Sequence, residues 1–491
     1  MGLVVLLNKK IEILFMRCTI KKLLSMAAFC SIFLFAQPVF AQNYYNNYQY
    51  ILGERAAGMG GAYTAIANDS TALWYNPAGL ARISDLSMNV SANTYSYMQT
   101  KTPGFFELPK ADGSTESVDL EESDFSVVGN TLILGKKLGN KQAVSFGLLV
   151  PYQDTLLGTL KAKGVNGPGG DTENFQEELS TVSAYTLAML GYGLKARDNL
   201  NIGASLGFGY YQGTTRDSFF YHYIDQNIGA ETKYVAVSNT TTDNTQYTLQ
   251  VGLGMQYEID KKNKLGVYAQ SPTWRISGAT KTKGVEYTDL TYYPDPTIDS
   301  FGQPSWINKT QKSDPWKQIL AGFISLGYAY EKPGSHAFSL DVVPVFGVTD
   351  EDNPNKNIVV NVKAGLEKYL SDSLIIRGGL FTDFSQKDAV KLTDFTGTDK
   401  LDYYGGTLSL SFGKHFMVNE TEKIGSATRY NTVKKSFWST FGVVGRYGMG
   451  DVATLKYTYD ATKTIPYDDE PVIKDKSVLN LQAFIAQSMN F

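Results

Sequence analysis

The stretch that decides the fold is LNIGASLGFGYY, from Leu200 to Tyr211. Its alternate residues form two sets: Leu, Ile, Ala, Leu and Phe on one side, Asn, Gly, Ser, Gly and Gly on the other. Successive side chains of a strand point to opposite faces, so the pattern predicts a β-strand with one apolar face. Residues 358–367 and 407–413 repeat it. A membrane barrel and a soluble sandwich both alternate in this way, so the pattern alone leaves both open.

The connections between such strands alternate in length, and this rhythm favours a barrel. Short turns are predicted near residues 138–140, 196–199, 260–263, 332–335 and 370–373. Longer polar stretches, predicted as loops, lie at 99–123, 153–179, 214–243, 279–317, 349–356, 387–402 and 461–477. Short turns at one end and long loops at the other are typical of bacterial outer-membrane barrels, and a sandwich has no reason to keep them.

The spans between these connections predict about fourteen strands. They are 85–98, 124–137, 141–152, 180–195, 200–213, 244–259, 264–278, 318–331, 336–348, 357–369, 374–386, 403–416, 436–460 and 478–491. We therefore predict an all-β fold, a 14-stranded antiparallel transmembrane β-barrel over residues 85–491, with both ends periplasmic. Within 436–460, Gly448 to Asp451 is either a bulge or a hairpin turn, and the connection 417–435 is longer than a periplasmic turn should be.

Composition excludes several classes of protein. Tyr (32) and Phe (26) are abundant against three His, which is typical of a strand-rich chain. Both cysteines, Cys18 and Cys30, lie in an N-terminal segment that we expect to be removed. The mature chain would then have no disulfide or thiolate metal site. Its net charge would be about −7, which gives no reason to expect a nucleic-acid partner.

Residues 1–41 are predicted to be a signal peptide. Two lysines at 21–22 precede an apolar run from Leu23 to Phe35, and small residues close the segment at Ala41. Cleavage is expected before Gln42, and Met16 is an alternative start of translation. The other interpretation is a transmembrane anchor, which the shortness of the apolar run disfavours.

The most specific motif is LGERAAGMGGAYTAIANDSTALWYNPAGLAR, from Leu52 to Arg82. Small residues dominate it, and it has no strand alternation. Gly58, Gly60 and Gly61 allow close backbone approach, and Asn76-Pro77 forces a turn. We predict that residues 42–84 fold inside the barrel lumen as a hatch.

This motif resembles the FadL/TodX family of outer-membrane transporters for long-chain fatty acids and aromatic hydrocarbons. The family pattern is matched by Arg55-Ala56, Gly58 to Ala62, Asp69 and Asn76 to Leu80. The motif covers about thirty residues. Over the rest of the chain the resemblance is one of architecture.

The resemblance implies a hatch that closes the barrel, capture of ligand at extracellular loops, and sideways release through a gap at a kinked third strand. The hatch and gating residues are then Gly58, Gly60, Gly61, Asn76, Pro77 and Ala78. The third predicted strand, 141–152, holds Gly147 and Pro151, either of which could mark the kink.

Aromatic residues in the two longest predicted loops, 214–243 and 279–317, are candidates for ligand capture. They are Phe219, Phe220, Tyr221, Tyr223, Tyr287, Tyr292, Tyr293 and Trp306. The alternative is that they pack the loops or form the aromatic girdle at the membrane interface.

Lys363 and Arg377 occupy polar faces of predicted strands and should point into the lumen. There they could pair with a ligand carboxylate, or else with acids such as Glu367 or with the hatch. His222, His336 and His415 are scattered, so no metal site is predicted and no cofactor is expected. Without a recognisable Ser/His or Asp/His set, we expect no enzyme activity.

The final strand ends in Phe491, which resembles the signal read by the barrel-assembly machinery. The expected location is the bacterial outer membrane, in contact with lipid and lipopolysaccharide. The leading functional hypothesis is passive uptake of hydrophobic compounds, above all long-chain fatty acids. The first alternative is a surface shuttle of a protein secretion system, which can carry the same motif. The second is an adhesin or a structural porin.

Overall fold

The computed structural model describes most of the chain after the predicted signal peptide. The described residues are 46, 50–110, 114–127, 130–166, 172–225, 232–292, 304–347, 357–393, 399–424, 427–459 and 467–490. The signal peptide, its cleavage site, Tyr293 and Phe491 lie outside them. Within the described ranges, no helix is long and apolar enough to cross a membrane.

Three short helical turns precede a long series of strands. They are α1 (Glu54–Gly58), α2 (Ala72–Tyr75) and a 3₁₀ helix (Pro77–Arg82). The strands are β1 (Leu86–Pro109), β2 (Thr115–Ser126), β3 (Asn130–Leu138), β4 (Gln142–Asn166), β5 (Thr172–Arg197), β6 (Leu200–Asp225), β7 (Thr232–Glu258), β8 (Asn263–Gln270), β9 (Thr273–Tyr292), β10 (Ser305–Lys312), β11 (Gln318–Leu320), β12 (Phe323–Lys332), β13 (His336–Val345), β14 (Val359–Ser371), β15 (Leu374–Asp383), β16 (Asp399–Ile424), β17 (Ala427–Tyr459) and β18 (Tyr467–Asn490).

These segments form a closed barrel of fourteen strands. β2 and β3 together make one barrel strand, as do β8 with β9, and β10 with β11 and β12. The last strand returns to the first, because β18 pairs antiparallel with β1 from Ser87 opposite Asn490 to Lys101 opposite Ser477. The predicted 14-stranded antiparallel barrel is confirmed.

The two faces of the wall show what surrounds the barrel. On β14 and just before it, Ile358 and Leu366 are 68% and 61% exposed, whereas Asn361 and Glu367 on the opposite face are buried. A soluble sandwich would bury the apolar face instead. Apolar side chains that point outward around a closed barrel belong against hydrocarbon, so the sandwich alternative is excluded.

The height of the apolar band agrees with a bilayer. On β7, the outward-facing Tyr247 and Tyr257 are both exposed, and Val251, Leu253 and Met255 lie exposed between them. A ten-residue strand segment, at ~3.3 Å per residue and tilted by ~40°, spans about 25 Å, the height of a membrane-facing band. The parts of β7 and its neighbours beyond Tyr247 therefore stand outside the membrane.

Several predicted outer loops are wrong, because the chain there continues as strand. Residues 153–179 and 214–243 are largely taken up by β4, β5, β6 and β7, and 279–292 by β9. These stretches are polar because they lie beyond the membrane-facing band. They are also rich in Thr, which favours extended backbone, so the ladders of the barrel continue upward.

In the region 417–460, β16 and β17 continue as two long paired strands. β16 and β17 pair in unbroken register from Asp399 opposite Val452 to Ile424 opposite Ala427. Gly448 lies opposite Tyr403, and a Cβ there would come within 2.5 Å of the tyrosine ring. The glycine thus makes room for an aromatic side chain, and neither the bulge nor the turn that we considered is present.

Candidate functional site in the barrel lumen

Residues 50–83, called here the N-terminal segment, lie inside the barrel and are buried almost throughout. Their local structure follows from the motif. The side chain of Asn76 accepts a hydrogen bond from the Ala78 N–H (3.2 Å) and Pro77 opens the 3₁₀ helix, as expected of a helix start. Gly60 and Gly61 have φ values of 65° and 77°, a region that favours glycine.

Asn76 also ties the N-terminal segment to the barrel wall. Its Nδ2 donates to the carbonyl oxygens of Thr64 (2.9 Å), Met255 (3.0 Å) and Val267 (3.3 Å). Met255 belongs to β7 and Val267 to β8. On β13, Asp341 Oδ2 accepts from the backbone N–H groups of residues 63 and 64 at 2.9 and 3.0 Å.

Glycines on the inner face of the wall let the N-terminal segment pack directly on the strands, with leucine side chains at Gly147 and Gly191 and with backbone at the others. A Cβ on Gly203 would lie 2.3 Å from the carbonyl carbon of Pro77, and one on Gly379 would lie 2.3 Å from the Gly60 nitrogen. We call this set the glycine belt: Gly147, Gly191, Gly193, Gly203, Gly254, Gly266, Gly327, Gly365 and Gly379. The sequence shows these glycines on the polar faces of the predicted strands. We did not predict from them where the hatch packs on the wall.

A chain of six charges joins α1 to the wall. In spatial order it runs Lys264, Glu331, Arg55, Glu367, Arg377 and Glu54. Arg55 Nη2 lies 2.8 Å from both Glu331 Oε1 and Glu367 Oε1. Arg377 Nε lies 2.7 Å from Glu367 Oε2, and its Nη1 lies 2.7 Å from Glu54 Oε1. Three cations alternate with three anions, so the chain is neutral as a whole.

The chain of charges determines the direction in which the pKa of Arg55 is shifted. Burial acts to lower the pKa of Arg55, but Glu367 and Glu331 outweigh it and hold the pKa above its ordinary value. Arg377 is occupied by Glu367 and Glu54, so the structure places it in an ion-pair chain with the N-terminal segment. Lys363 lies beside Gly61, and its electrostatic neighbours are Asp341 and Asp383.

The wall is interrupted at β4, the third barrel strand. β3 pairs with β4 up to Leu132 opposite Leu148. Between Leu149 and Tyr152, β4 holds two residues, Val150 and Pro151, against the single residue 186 of β5. Beyond this bulge, no ladder joins the described parts of β2 and β4. Of the two kink candidates, Pro151 thus lies at the break and Gly147 in the paired region below it.

Tyr50 fills the interrupted edge of β4. Its N–H donates to the Pro151 carbonyl (3.2 Å) and its hydroxyl to the Gln153 carbonyl (2.8 Å). Four residues earlier, Asn46 Nδ2 donates to the carbonyls of Asp383 (2.9 Å) and Leu401 (3.1 Å), on β15 and β16. The chain just before the N-terminal segment is therefore held at β15 and β16 and again at the break in β4.

The predicted capture aromatics with described side chains are Phe220, Tyr287 and Trp306. They lie on β6, β9 and β10, on the outward face of strands above the membrane, and Trp306 is 80% exposed. The side chains of Phe219, Tyr221, Tyr223 and Tyr292 lie outside the described part. The prediction that these aromatics sit in loops was wrong, because the ladders continue through them. The three described ones do not line the lumen.

The chain is an outer-membrane β-barrel with an occupied lumen, and comparison with known proteins agrees. No protein-family model matches the sequence, and no curated protein is significantly similar to it. Among solved structures, a Pseudomonas aeruginosa FadL homologue superposes with a TM-score of 0.53 at 12% identity, over 90% of this chain and 99% of that one. The Pseudomonas putida toluene transporter TodX gives 0.51 at 12% identity, over 92% and 100%. This chain has the FadL/TodX fold, as the motif predicted.

Proposed function

We propose that this barrel takes up hydrophobic compounds passively and releases them sideways into the outer membrane at the break in β4. The observation that carries the proposal is a lumen occupied by residues 50–83 together with a break in the wall. The described ladder of β3 with β4 ends at Leu148, just before the bulge at Val150 and Pro151. The glycine belt and the charge chain hold the N-terminal segment on many strands. A path straight through the barrel would have to undo all of these contacts, whereas the break would need far fewer to open.

The proposed ligands are long-chain fatty acids, with aromatic hydrocarbons as the other class. The two solved structures named above are a FadL homologue and a toluene transporter, which supports a hydrophobic cargo. Leaving water for the bilayer is favourable by ~0.8 kcal/mol per methylene group, so uptake needs no energy source or enzymatic step. The predicted hatch residues Gly58, Gly60, Gly61, Asn76, Pro77 and Ala78 act here by keeping the N-terminal segment in place.

Tyr50 is the proposed seal of the exit. Two of its hydrogen bonds go to carbonyl groups on the interrupted edge of β4, where no ladder to a neighbouring strand is described. Two hydrogen bonds cost far less to exchange than a strand ladder, because each contributes only about 1 kcal/mol net. Tyr50 can therefore leave without opening the rest of the barrel.

Deletion of Pro151 tests the exit. It removes the extra residue of the bulge and restores one-to-one pairing of β4 with β5. The later residues of β4 keep their side chains on the same face of the barrel wall. We expect transfer of a long-chain fatty acid into vesicles that contain the purified barrel to fall at least about tenfold, with binding in detergent unchanged.

A matched control comes from β9, four barrel strands away from β4. β9 carries an extra residue, Ile276, between the pairs Tyr247–Ser277 and Thr248–Arg275. Deleting Ile276 straightens a bulge of the same kind away from β4 and should leave transfer unaffected. Equal transfer by the Pro151 deletion and the unmodified protein would refute lateral release at β4.

One observation favours the secretion-shuttle alternative. Phe220 and Trp306 expose aromatic surface outward, on strands that stand outside the membrane. Exposed aromatic surface of this kind marks protein interaction sites. Co-purification of a secreted protein that is lost when Trp306 is replaced by serine, together with an absence of fatty-acid transfer, would favour this function.

A further inference from the structure

Four arginines are buried in the described part of the lumen wall and the N-terminal segment: Arg55, Arg275, Arg377 and Arg446. Arg275 donates hydrogen bonds to oxygens of Gln246 and Asp314, and Arg446 differs from the other three. Arg55 and Arg377 each contact two carboxylates. Arg446 on β17 is 7% exposed, and no described carboxylate lies within ion-pair distance of it. Its guanidinium lies over the ring of Tyr403, 4.8 Å from the centroid, and its Nε is buried without a hydrogen-bond acceptor.

A second unused donor lies beside it. Asn480 on β18 is directly opposite Arg446 and is 1% exposed. Its Oδ1 accepts a hydrogen bond from Gln482 Nε2 (2.9 Å), which fixes the orientation of the amide. Its Nδ2 is buried and has no hydrogen-bond partner in the part of the chain that the structure describes. Two neighbouring strands thus present N–H groups into the lumen at the same level.

Apolar residues lie next to these donors. Val444 and Phe484, on the same inner faces of β17 and β18, form a buried cluster with Ala57 of α1, and Ile51 and Phe381 pack against it. The site therefore combines a cation and an amide donor with an apolar surface that the N-terminal segment helps to build.

A buried guanidinium needs an anionic partner, because the loss of hydration is large and an aromatic face offsets only part of it. Among the described residues, acids of the protein meet this need at Arg55 and Arg377, and none lies beside Arg446. We propose that Arg446 and Asn480 bind the carboxylate of an amphipathic ligand whose hydrocarbon tail lies on the cluster of Val444 and Phe484. This inference rests on the proposed uptake function and selects fatty acids over plain hydrocarbons, since a hydrocarbon leaves both donors unused.

Two probes of equal chain length test the site, palmitate and hexadecanol, with the full-length mature barrel in detergent. We expect the unmodified protein to bind palmitate more tightly than hexadecanol. Arg446→Gln should weaken palmitate binding about tenfold or more, because a charge-assisted pair is lost. Its affinity for hexadecanol should stay within about twofold, since the apolar surface is intact.

A second variant supplies an internal counterion. Asn480→Asp keeps the side-chain shape and places a carboxylate opposite Arg446, so palmitate binding should fall while the barrel stays folded. The matched control is Arg275→Gln on the opposite wall, where Arg275 already has the oxygens of Gln246 and Asp314 as partners. This control should bind palmitate like the unmodified protein.

The outcomes separate the two proposals. Palmitate binding that is unchanged in both Arg446→Gln and Asn480→Asp would overturn the headgroup site while leaving uptake of hydrophobic compounds in place. Equal affinity of the unmodified protein for palmitate and hexadecanol would also overturn it. An unmodified protein that binds neither probe would instead overturn the proposed function.

Discussion

Replacing Glu367 with glutamine is expected to lower the free energy of unfolding by about 3–5 kcal/mol, the usual effect of breaking a buried ion pair. Glu367 stands between Arg55 and Arg377 and binds both. Without its charge, three cations face two anions, and the two arginines lose the acid that they share. Since Arg55 belongs to the N-terminal segment, the weakened contact is the one between this segment and the wall.

The measurement is thermal unfolding of the detergent-solubilised barrel, together with single-channel conductance in a planar bilayer. A loosened N-terminal segment should let ions pass, so conductance should rise in Glu367→Gln. The matched control is Glu121→Gln, which breaks the exposed pair with Lys101. Exposed pairs contribute about 0–1 kcal/mol, so this control should change neither quantity. Equal effects of the two variants would mean that the charge chain does not hold the N-terminal segment.

The second large effect is expected from Gly379→Ala. The added methyl would lie 2.3 Å from the Gly60 nitrogen and from the carbonyl carbon of Met59. Both are backbone atoms and cannot turn away as a flexible side chain could. Overpacking of this kind costs about 1–3 kcal/mol, and the upper end applies where backbone must move. The expected result is a folded barrel with a displaced N-terminal segment.

Gly378→Ala is the control for that experiment. Gly378 is the adjacent residue on β15, and a Cβ there would meet its nearest atom, the Thr407 carbonyl oxygen, at 3.7 Å. We expect Gly378→Ala to unfold and conduct like the unmodified protein. Gly379→Ala should conduct ions and expose the N-terminal segment to protease added from the periplasmic side. Identical behaviour of the two alanine variants would show that the glycine belt is not needed for close packing.

The sequence by itself determined the barrel. Alternation has a period of two residues and is visible wherever a strand crosses the membrane, so the spans around Leu200 and Ile358 could be assigned without any contact information. The motif from Leu52 to Arg82 could also be recognised without contact information, because its small residues lie close together along the chain.

How far the strands extend was decided by tertiary structure. Above the membrane both faces meet water, so the alternation that marks a strand disappears. The polar stretch after residue 213 then predicts a loop, although β6 continues to Asp225 through its ladders with β5 and β7. Pairing with neighbouring strands makes these residues extended, and pairing cannot be read from one segment alone.

The contents of the lumen also depended on the tertiary structure. The polar face of β14 predicted that Lys363 and Glu367 point inward, but not which charges they would meet. Arg55 and Glu367 are 312 positions apart, and only closure of the barrel brings them together. The same closure gives Arg377 two acids and places none of the described acids beside Arg446. The role of a buried charge depends on which partners lie beside it. These partners cannot be read from the order of residues along the chain.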